Sequence, residues 1–268
     1  MKKLKLILKI TFYLSVFFVV IVLFTFSARK QSQMLFRSLN INIDRSNEVY
    51  FIDEEDIRQQ LRDRGDSVIG QAMGKIDCAE LENLINNNPA VLKSEVYKSI
   101  DGELNIEIKQ RKPIVRIFNN KNEGYYLDEK GKMLPLSQKF TSRVLVANGN
   151  IFESYDKFYY FDFSKTIQED SIMKYTRLDE LYSLSSFINN DPFWRSQIEQ
   201  VYVDKDFELI PKVGNHVIIL GDTKDLKEKF DKLFVFYKEA LPKSGWNKYS
   251  TINLKYKNQV ICTKANIK

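Results

Sequence analysis

Asn88-Pro-Ala-Val-Leu-Lys-Ser-Glu-Val-Tyr-Lys98, followed by Asp101-Gly-Glu-Leu-Asn-Ile-Glu-Ile-Lys-Gln-Arg-Lys-Pro-Ile114, decides how this chain is read. Leu104, Ile106 and Ile108 alternate with Asn105, Glu107 and Lys109, the period of a strand buried on one face. Asp101-Gly102 is a hairpin turn signal, because glycine reaches positive φ without a steric penalty. Asn88-Pro89 stops whatever precedes the first strand, and Pro113 closes the second because it has no N–H for a ladder. The stretch therefore predicts a β-hairpin into which the upstream elements lead.

Upstream of it, Leu39, Ile41 and Ile43 alternate as a short strand. Asp53, Glu54, Glu55 and Asp56 put negative charge at the start of a helix whose Ile57 and Leu61 face inward, and Gly65 ends it. After a linker through Gly70 and Gly74, Asp77 caps a second helix, with Glu80 spaced as in a capping box. Leu81, Leu84 and Ile85 form its buried face. The predicted order is strand, helix, helix, strand, strand.

The N-terminus sets the compartment. Lys2, Lys3, Lys5 and Lys9 precede an uncharged run from Ile10 to Phe26. With Leu6, Ile7 and Leu8 this run reaches the roughly 20 residues that cross a bilayer. Four lysines before it outweigh Arg29 and Lys30 after it, which predicts a cytoplasmic N-terminus and an exported remainder. A cleaved signal peptide is the competing reading, but the apolar run is long and Ser27-Ala28 after Phe26 makes a poor cleavage site. An uncleaved signal anchor is therefore predicted, with residues 29–37 as a polar tether.

The 268 residues suffice for about two domains, and 28% charged with 44% hydrophobic residues describes a folded protein. The net charge of +6 is spread along the chain without an arginine block or a basic-aromatic stripe, which argues against nucleic acid as a partner. Cys78 and Cys262 fall in different predicted domains and read as two free thiols. No CxxC or Cys/His cluster points to a metal, and no cofactor is implied.

This element order after a single membrane span resembles the POTRA domain. The quoted stretch is similar to the end of the POTRA domain in the bacterial division protein family FtsQ, called DivIB in Gram-positive bacteria. Its marks are a Pro before the first strand, a short turn, an alternating strand, then a basic pair and a Pro, here Arg111, Lys112 and Pro113. The resemblance covers most of the chain and is weakest over residues 148–176. It implies an α+β fold: a transmembrane helix, a β-α-α-β-β POTRA domain, then a mostly β domain with helices. The predicted limits are 1–9 cytoplasmic tail, 10–28 anchor, 29–37 tether, 38–112 POTRA domain and 113–264 β domain.

The second domain is predicted to open with a strand from Ile114 to Phe118 and a hairpin from Tyr125 to Leu136, turning at Asp128 to Gly131. Another strand follows from Arg143 to Gly149. Residues 151–176 are rich in Tyr and Phe, readable as a contact surface or as a core with a covering loop. Leu178, Leu181, Leu184 and Ile188 mark a helix face ended by Asn189-Asn-Asp-Pro192. Strands from Ile198 to Val203 and His216 to Leu220 precede an amphipathic helix capped by Asp222 or Thr223. Leu226, Phe230, Leu233, Phe234, Tyr237 and Leu241 form its stripe, and Pro242 and Gly245 end it. The alternation from Thr251 to Cys262 predicts a final strand with Ile252, Leu254, Tyr256, Val260 and Cys262 on one apolar face. Gly214-Asn-His-Val-Ile-Ile-Leu-Gly221, a helix, and Ile252-Asn-Leu-Lys-Tyr256 together resemble the C-terminal segment of FtsQ. A glycine common in the last turn of that segment is replaced here by Asn258-Gln259.

Two functional classes are in view. His216 is the only histidine and opens a strand, so a Ser-His or Cys-His pair would rest on it alone. Glu169-Asp170 reads as a solvated loop, and no carboxylate pair sits in a recognisable cleft. An envelope enzyme acting on peptidoglycan is thus the alternative. An outer-membrane assembly factor lacks the barrel strands it would need. The resemblance implies a non-enzymatic scaffold of the division septum in the cytoplasmic (inner) membrane. Its partners there are FtsB/FtsL-type bitopic proteins and, through them, septal wall synthases. In the family the partner docks at the last strand and nearby helix of the second domain. Carried over residue by residue, this points to Asn253, Lys255, Tyr256 and Asn258, and to Lys205 just ahead of Phe207 as a cation for an acidic partner. The parity of Tyr256 also fits a core aromatic.

Overall fold

The computed structural model describes residues 2–63, 65, 68–166 and 176–265. The chain divides into two compact units, Met1–Gln110 and Arg111–Lys268. Glu169-Asp170, read above as a loop, lie outside the described residues.

The first unit begins with helix α1, Lys2–Gln33. Its segment Ile10–Gln33 is long and apolar enough to cross a membrane, and none of it is buried within the protein. The helix continues through most of the stretch expected as a tether, and only residues 34–37 separate it from β1, Ser38–Asp44. Two helices follow, α2 (Glu54–Asp63) and α3 (Cys78–Asn86), and then the hairpin of β2 (Val91–Lys98) and β3 (Glu103–Gln110). The three strands are ordered β1-β3-β2, with β3 antiparallel to β2 and parallel to β1. The connection through both helices and β2 is the crossover that lets β1 and β3 run parallel.

Local chemistry fixes these elements. Asp53 and Asp56 cap α2 reciprocally: Asp53 Oδ1 accepts from Asp56 N–H and Asp56 Oδ2 accepts from Asp53 N–H, each at 3.0 Å. Gly65, at φ 84°, follows α2 in the left-handed conformation. Asp77 caps α3 by accepting from Ala79 and Glu80 N–H, a type of contact worth about 1 kcal/mol. Gly102 turns the hairpin at φ 91°. Leu104, Ile106 and Ile108 are buried against Ile57, Leu61, Leu81 and Ile85. At the end of β3 the buried Gln110 side chain accepts from Phe51 and Ile52 N–H and donates to Val49 O, pinning the loop before α2. Nothing in the hairpin pattern announced that role.

The second unit is built on one nine-stranded sheet, ordered β12-β11-β10-β9-β8-β7-β4-β5-β6. Its strands are β4 (Pro113–Phe118), β5 (Gly124–Asp128), β6 (Met133–Pro135), β7 (Leu145–Gly149), β8 (Ile198–Val203), β9 (Phe207–Pro211), β10 (Val217–Gly221), β11 (Tyr249–Asn253) and β12 (Ile261–Lys264). β4, β7 and β8 run parallel to one another, as do β10 and β11; the remaining neighbours are antiparallel. Helices α6 (Arg177–Asn190), α7 (Pro192–Gln197) and α8 (Leu226–Val235) supply Leu181, Leu184, Trp194, Phe230 and Leu233 to the core over Val115, Ala147, Val201, Leu209 and Ile218.

Several elements differ from the sequence reading. β9 was not anticipated, and it antiparallel-pairs with both β8 and β10. Pro192 opens α7 where only a helix stop was read; its missing N–H costs nothing at a helix start, and Asp191 caps Phe193 and Trp194 N–H. Asp225, at φ 51°, precedes α8, whereas the Asp222 carboxylate binds Lys229 Nζ at 2.7 Å instead of capping it. Pro242 lies inside the continuing helix, in the short α9 (Leu241–Ser244). Its lack of an N–H removes one i→i−4 bond, and the preceding Phe236–Ala240 turn is a π-segment in which Leu241 N–H reaches Phe236 O. The aromatic stretch contains α4 (Tyr155–Phe158) and α5 (Phe163–Thr166). It is divided in role: Phe163 is buried in the core, while Phe152, Tyr159 and Tyr160 are exposed.

The largest correction concerns the chain end. Thr251 to Cys262 is two strands, not one: β11 and β12 form an antiparallel hairpin with a seven-residue connection, residues 254–260. The shared parity of Ile252 and Cys262 arises because they lie opposite each other across this hairpin.

Candidate partner-binding surface

β12 is the outermost strand of the sheet, with β11 as its one neighbour among the described residues. Its register pairs Ile261 with Asn253, Cys262 with Ile252 and Thr263 with Thr251. Ala265 N–H donates to Lys248 O at 2.9 Å, toward β11. Successive N–H groups alternate sides along a strand, so those of Ile261 and Thr263 also point inward and those of Cys262 and Lys264 point to the open edge. Leu254 N–H, which bonds Ile219 O on β10, fixes the matching phase in β11. The edge therefore offers backbone donors and acceptors at Cys262 and Lys264, the groups a further strand would take up.

Beside this edge lies a groove of about 800 Å³ between the outer side of α8, the π-segment and the end of the β11–β12 connection. Its apolar surface comes from Val235, Phe236, Ala240 and Val260. Val235 is 59% exposed, an apolar residue outside the buried stripe of α8. The rim carries Asp225, Glu228, Asp231 and Glu239 against Lys227 and Lys232. Both lysines are engaged within the helix, Lys227 with Asp231 at 2.7 Å and Lys232 with Glu228 at 3.6 Å. Lys232 Nζ also donates to Tyr256 O at 2.8 Å, tying α8 to the connection.

The residues singled out from sequence occupy different positions. Asn253 ends β11, an interior strand, and its Oδ1 accepts from Lys255 N–H, which starts the turn. Lys255, Tyr256 and Asn258 lie in the connection and not in a strand. Lys255 Nζ donates to Asp206 Oδ2 at 2.6 Å, and that hydrogen bond raises the lysine's pKa. The Lys255 stem also crosses Gly221, where an added Cβ would stand 2.8 Å from Lys255 Cγ. Tyr256 is 47% exposed and is not a core aromatic. Asn258 adopts φ 59°, a left-handed conformation that asparagine tolerates, and it lines the groove. Lys205 is exposed in the β8–β9 turn, next to Asp206 in sequence, and makes no ion pair among the described residues. The Lys255–Asp206 pair thus brings the β8–β9 turn and the β11–β12 connection together, and with them four of the five predicted residues.

Sequence reasoning missed Val235, Phe236 and Val260 in the groove and Cys262 and Lys264 on the open edge. Val235 carried a usable signal, since it is an apolar residue off the helix stripe. His216, by contrast, is 2% exposed, and its Nε2 lies 3.0 Å from the Tyr237 hydroxyl. Burial lowers its pKa, so it is a core group facing the π-segment. Among the described residues no three His, Cys, Asp or Glu side chains are grouped to hold a metal ion.

Comparison with known families matches residues 36–109 to the POTRA-like domain and residues 112–263 to the family described as FtsQ/DivIB, C-terminal related. Compared with curated proteins, the chain finds no match. The second family match spans more than half of the chain and contains the groove and β12 as far as Thr263. With its POTRA-like domain and one N-terminal apolar helix that fits a single-pass membrane protein, the chain belongs to the FtsQ/DivIB family of bacterial cell-division proteins.

Proposed function

We propose that this chain is a non-enzymatic, bitopic scaffold of the division complex that holds FtsB/FtsL-type proteins through the β12 edge, and through them the septal wall synthases. The single observation that carries this reading is an open edge strand beside an apolar groove, the groove and all but the last residue of the strand lying in the family-matched region. A partner segment in extended form gains backbone hydrogen bonds at Cys262 and Lys264. An apolar side chain next to that segment can enter the groove, and such buried anchors supply most of an interface's energy. Lys205, Asn253, Lys255, Tyr256 and Asn258 are proposed as contact or supporting residues. Lys205, exposed and without an ion pair among the described residues, is the cation best placed to steer an acidic partner.

The proposed arrangement puts residues 1–9 in the cytoplasm, 10–28 in the inner membrane, and the POTRA domain (38–112) and β domain (113–264) outside it. Four lysines ahead of the apolar run support this orientation. The test is capture of partners by the full chain from solubilised membranes, with the bound proteins identified. Recovery of short bitopic coiled-coil proteins, lost when β12 is altered, is the expected result. Equal recovery with an altered β12 overturns the docking site, and release of muropeptides from purified peptidoglycan overturns the non-enzymatic reading.

A further inference from the structure

A second cavity, of about 320 Å³, opens in the β domain away from the β12 edge, where β4, β7 and β8 begin and α6 and α7 end. Its apolar wall includes Ile114, Leu145, Ile188 and Ile198. Around it stand Arg143 ahead of β7, Arg195 at the end of α7 and Lys212 after β9. All three are exposed, and among the described residues none of them forms an ion pair. Glu199 is the one carboxylate in the lining. On the α6 side Ser185 is 1% exposed, and its Oγ has no hydrogen-bond partner among the described residues.

Unpaired surface cations are common, and Arg195 has a local reason to be where it is, since a cation offsets the carbonyl dipoles of a helix C-terminus. Arg143 and Lys212 belong to no helix, so that reason does not extend to them. Three cations drawn from three separate segments around one concave, partly apolar cavity carry a net charge of +2 after Glu199 is counted. A single carboxylate would leave half of that charge unmatched. A phosphate monoester carries about −1.5 to −2 near neutral pH and offers several acceptor oxygens, which two guanidinium forks and an ammonium can share. Glu199 can accept from hydroxyls on the body of the ligand, and the apolar wall can cover its carbon atoms.

We propose that this cavity binds a phosphate monoester of headgroup size, with Arg143, Arg195 and Lys212 holding the phosphate. The same chemistry is presented by a water-soluble polyol phosphate and by a lipid whose headgroup is a bare phosphate. Titration calorimetry on the full chain, solubilised in a maltoside detergent and phosphate-free buffer, separates the two. The probes are glycerol 3-phosphate and dihexanoyl phosphatidic acid, with acetate at matched ionic strength as the control. Binding of glycerol 3-phosphate supports a soluble ligand; binding of the phosphatidic acid alone supports a lipid headgroup. In either case Arg143→Gln and Arg195→Gln should each weaken binding about tenfold, and Lys212→Gln somewhat less. Lys157→Gln, an exposed lysine outside the cavity, should leave it unchanged. The substituted side chains are exposed, so the fold should be kept, and an unaltered thermal transition verifies it. No binding of either ester, binding no tighter than acetate, or an equal loss in Lys157→Gln overturns the proposal.

Discussion

Lys255 Nζ lies 2.6 Å from Asp206 Oδ2, and this pair joins the β11–β12 connection to the β8–β9 turn. A lysine singled out as a partner contact therefore already has an acidic partner within its own chain. Neighbouring Lys205 has none among the described residues. The two cations should respond differently to charge reversal. Lys255→Glu places like charges together, loosens the connection and should lower the thermal midpoint; Asp206→Lys in the same chain should recover most of the loss. Lys205→Glu should shift the midpoint by no more than ~2 °C, because it breaks no internal pair. It should instead slow association and reduce the salt dependence of the on-rate. A fall in thermal midpoint for Lys205→Glu as large as for Lys255→Glu would contradict this division.

The alternation of N–H directions along β12 yields a residue-level test. Proline at Thr263 removes an inward N–H from the ladder with β11 and should destabilise the hairpin. Proline at Cys262 or Lys264 removes an outward N–H and should leave the thermal transition close to that of the unaltered chain. Partner affinity should then fall by at least tenfold for Cys262→Pro and Lys264→Pro, about the loss of one or two backbone hydrogen bonds. The measurement is a binding isotherm for each variant that retains a cooperative transition. Unchanged affinity in both outward variants would remove the edge from the interface.

The order of elements was legible because hairpin chemistry and capping residues act locally. Asp77, Gly102 and the alternation through Ile108 each do in the structure what their sequence context requires. The end of the chain was misread for the same reason. Across an antiparallel hairpin, directly opposite residues point to the same face, so a connection of odd length preserves the parity of a single strand. Ile252 and Cys262 satisfy both readings, and Leu254 to Val260 contain neither proline nor glycine to mark the turn. Asn258 was the available mark, since asparagine tolerates the left-handed conformation it adopts at φ 59°. β9 was hidden because Phe207 to Pro211 is short and ends in a proline, which reads as a break. The groove depends on two segments that are distant in sequence, and only Val235 hinted at it.

Val235 provides the next test. It is 59% exposed and lines the groove beside Phe236 and Val260. Val235→Glu adds a carboxylate to a rim that already holds four acids and should reduce partner affinity more than Val235→Ala. Neither change removes a core contact, so both variants should unfold with the midpoint of the unaltered chain, within ~2 °C. Lys238→Glu offers a control on the same helical segment, because Lys238 is exposed but does not line the groove. If Lys238→Glu weakens binding as much as Val235→Glu, the effect is one of general charge and the groove is not an anchor site.

His216 predicts an acid-sensitive fold. Its imidazole is buried against the Tyr237 hydroxyl, and burial holds its pKa below the ordinary value of 6.5. In the unfolded chain the same group protonates at the ordinary value. Between that pH and the lower folded value the unfolded state binds the extra proton, so stability falls as pH drops below about 6.5 and is unaffected by this group at higher pH. Tyr237 belongs to the π-segment, so the loss falls on the element behind the groove. Thermal midpoints of the full chain and of His216→Asn, followed from about pH 7.5 to about pH 5.5, check the sign. The substitution lowers the midpoint at every pH by disturbing the Tyr237 contact, so the comparison rests on slopes. The unaltered chain should lose stability more steeply than His216→Asn through this window. Parallel curves would mean that His216 takes up its proton equally in both states, and the acid sensitivity would have to come from the carboxylates at lower pH.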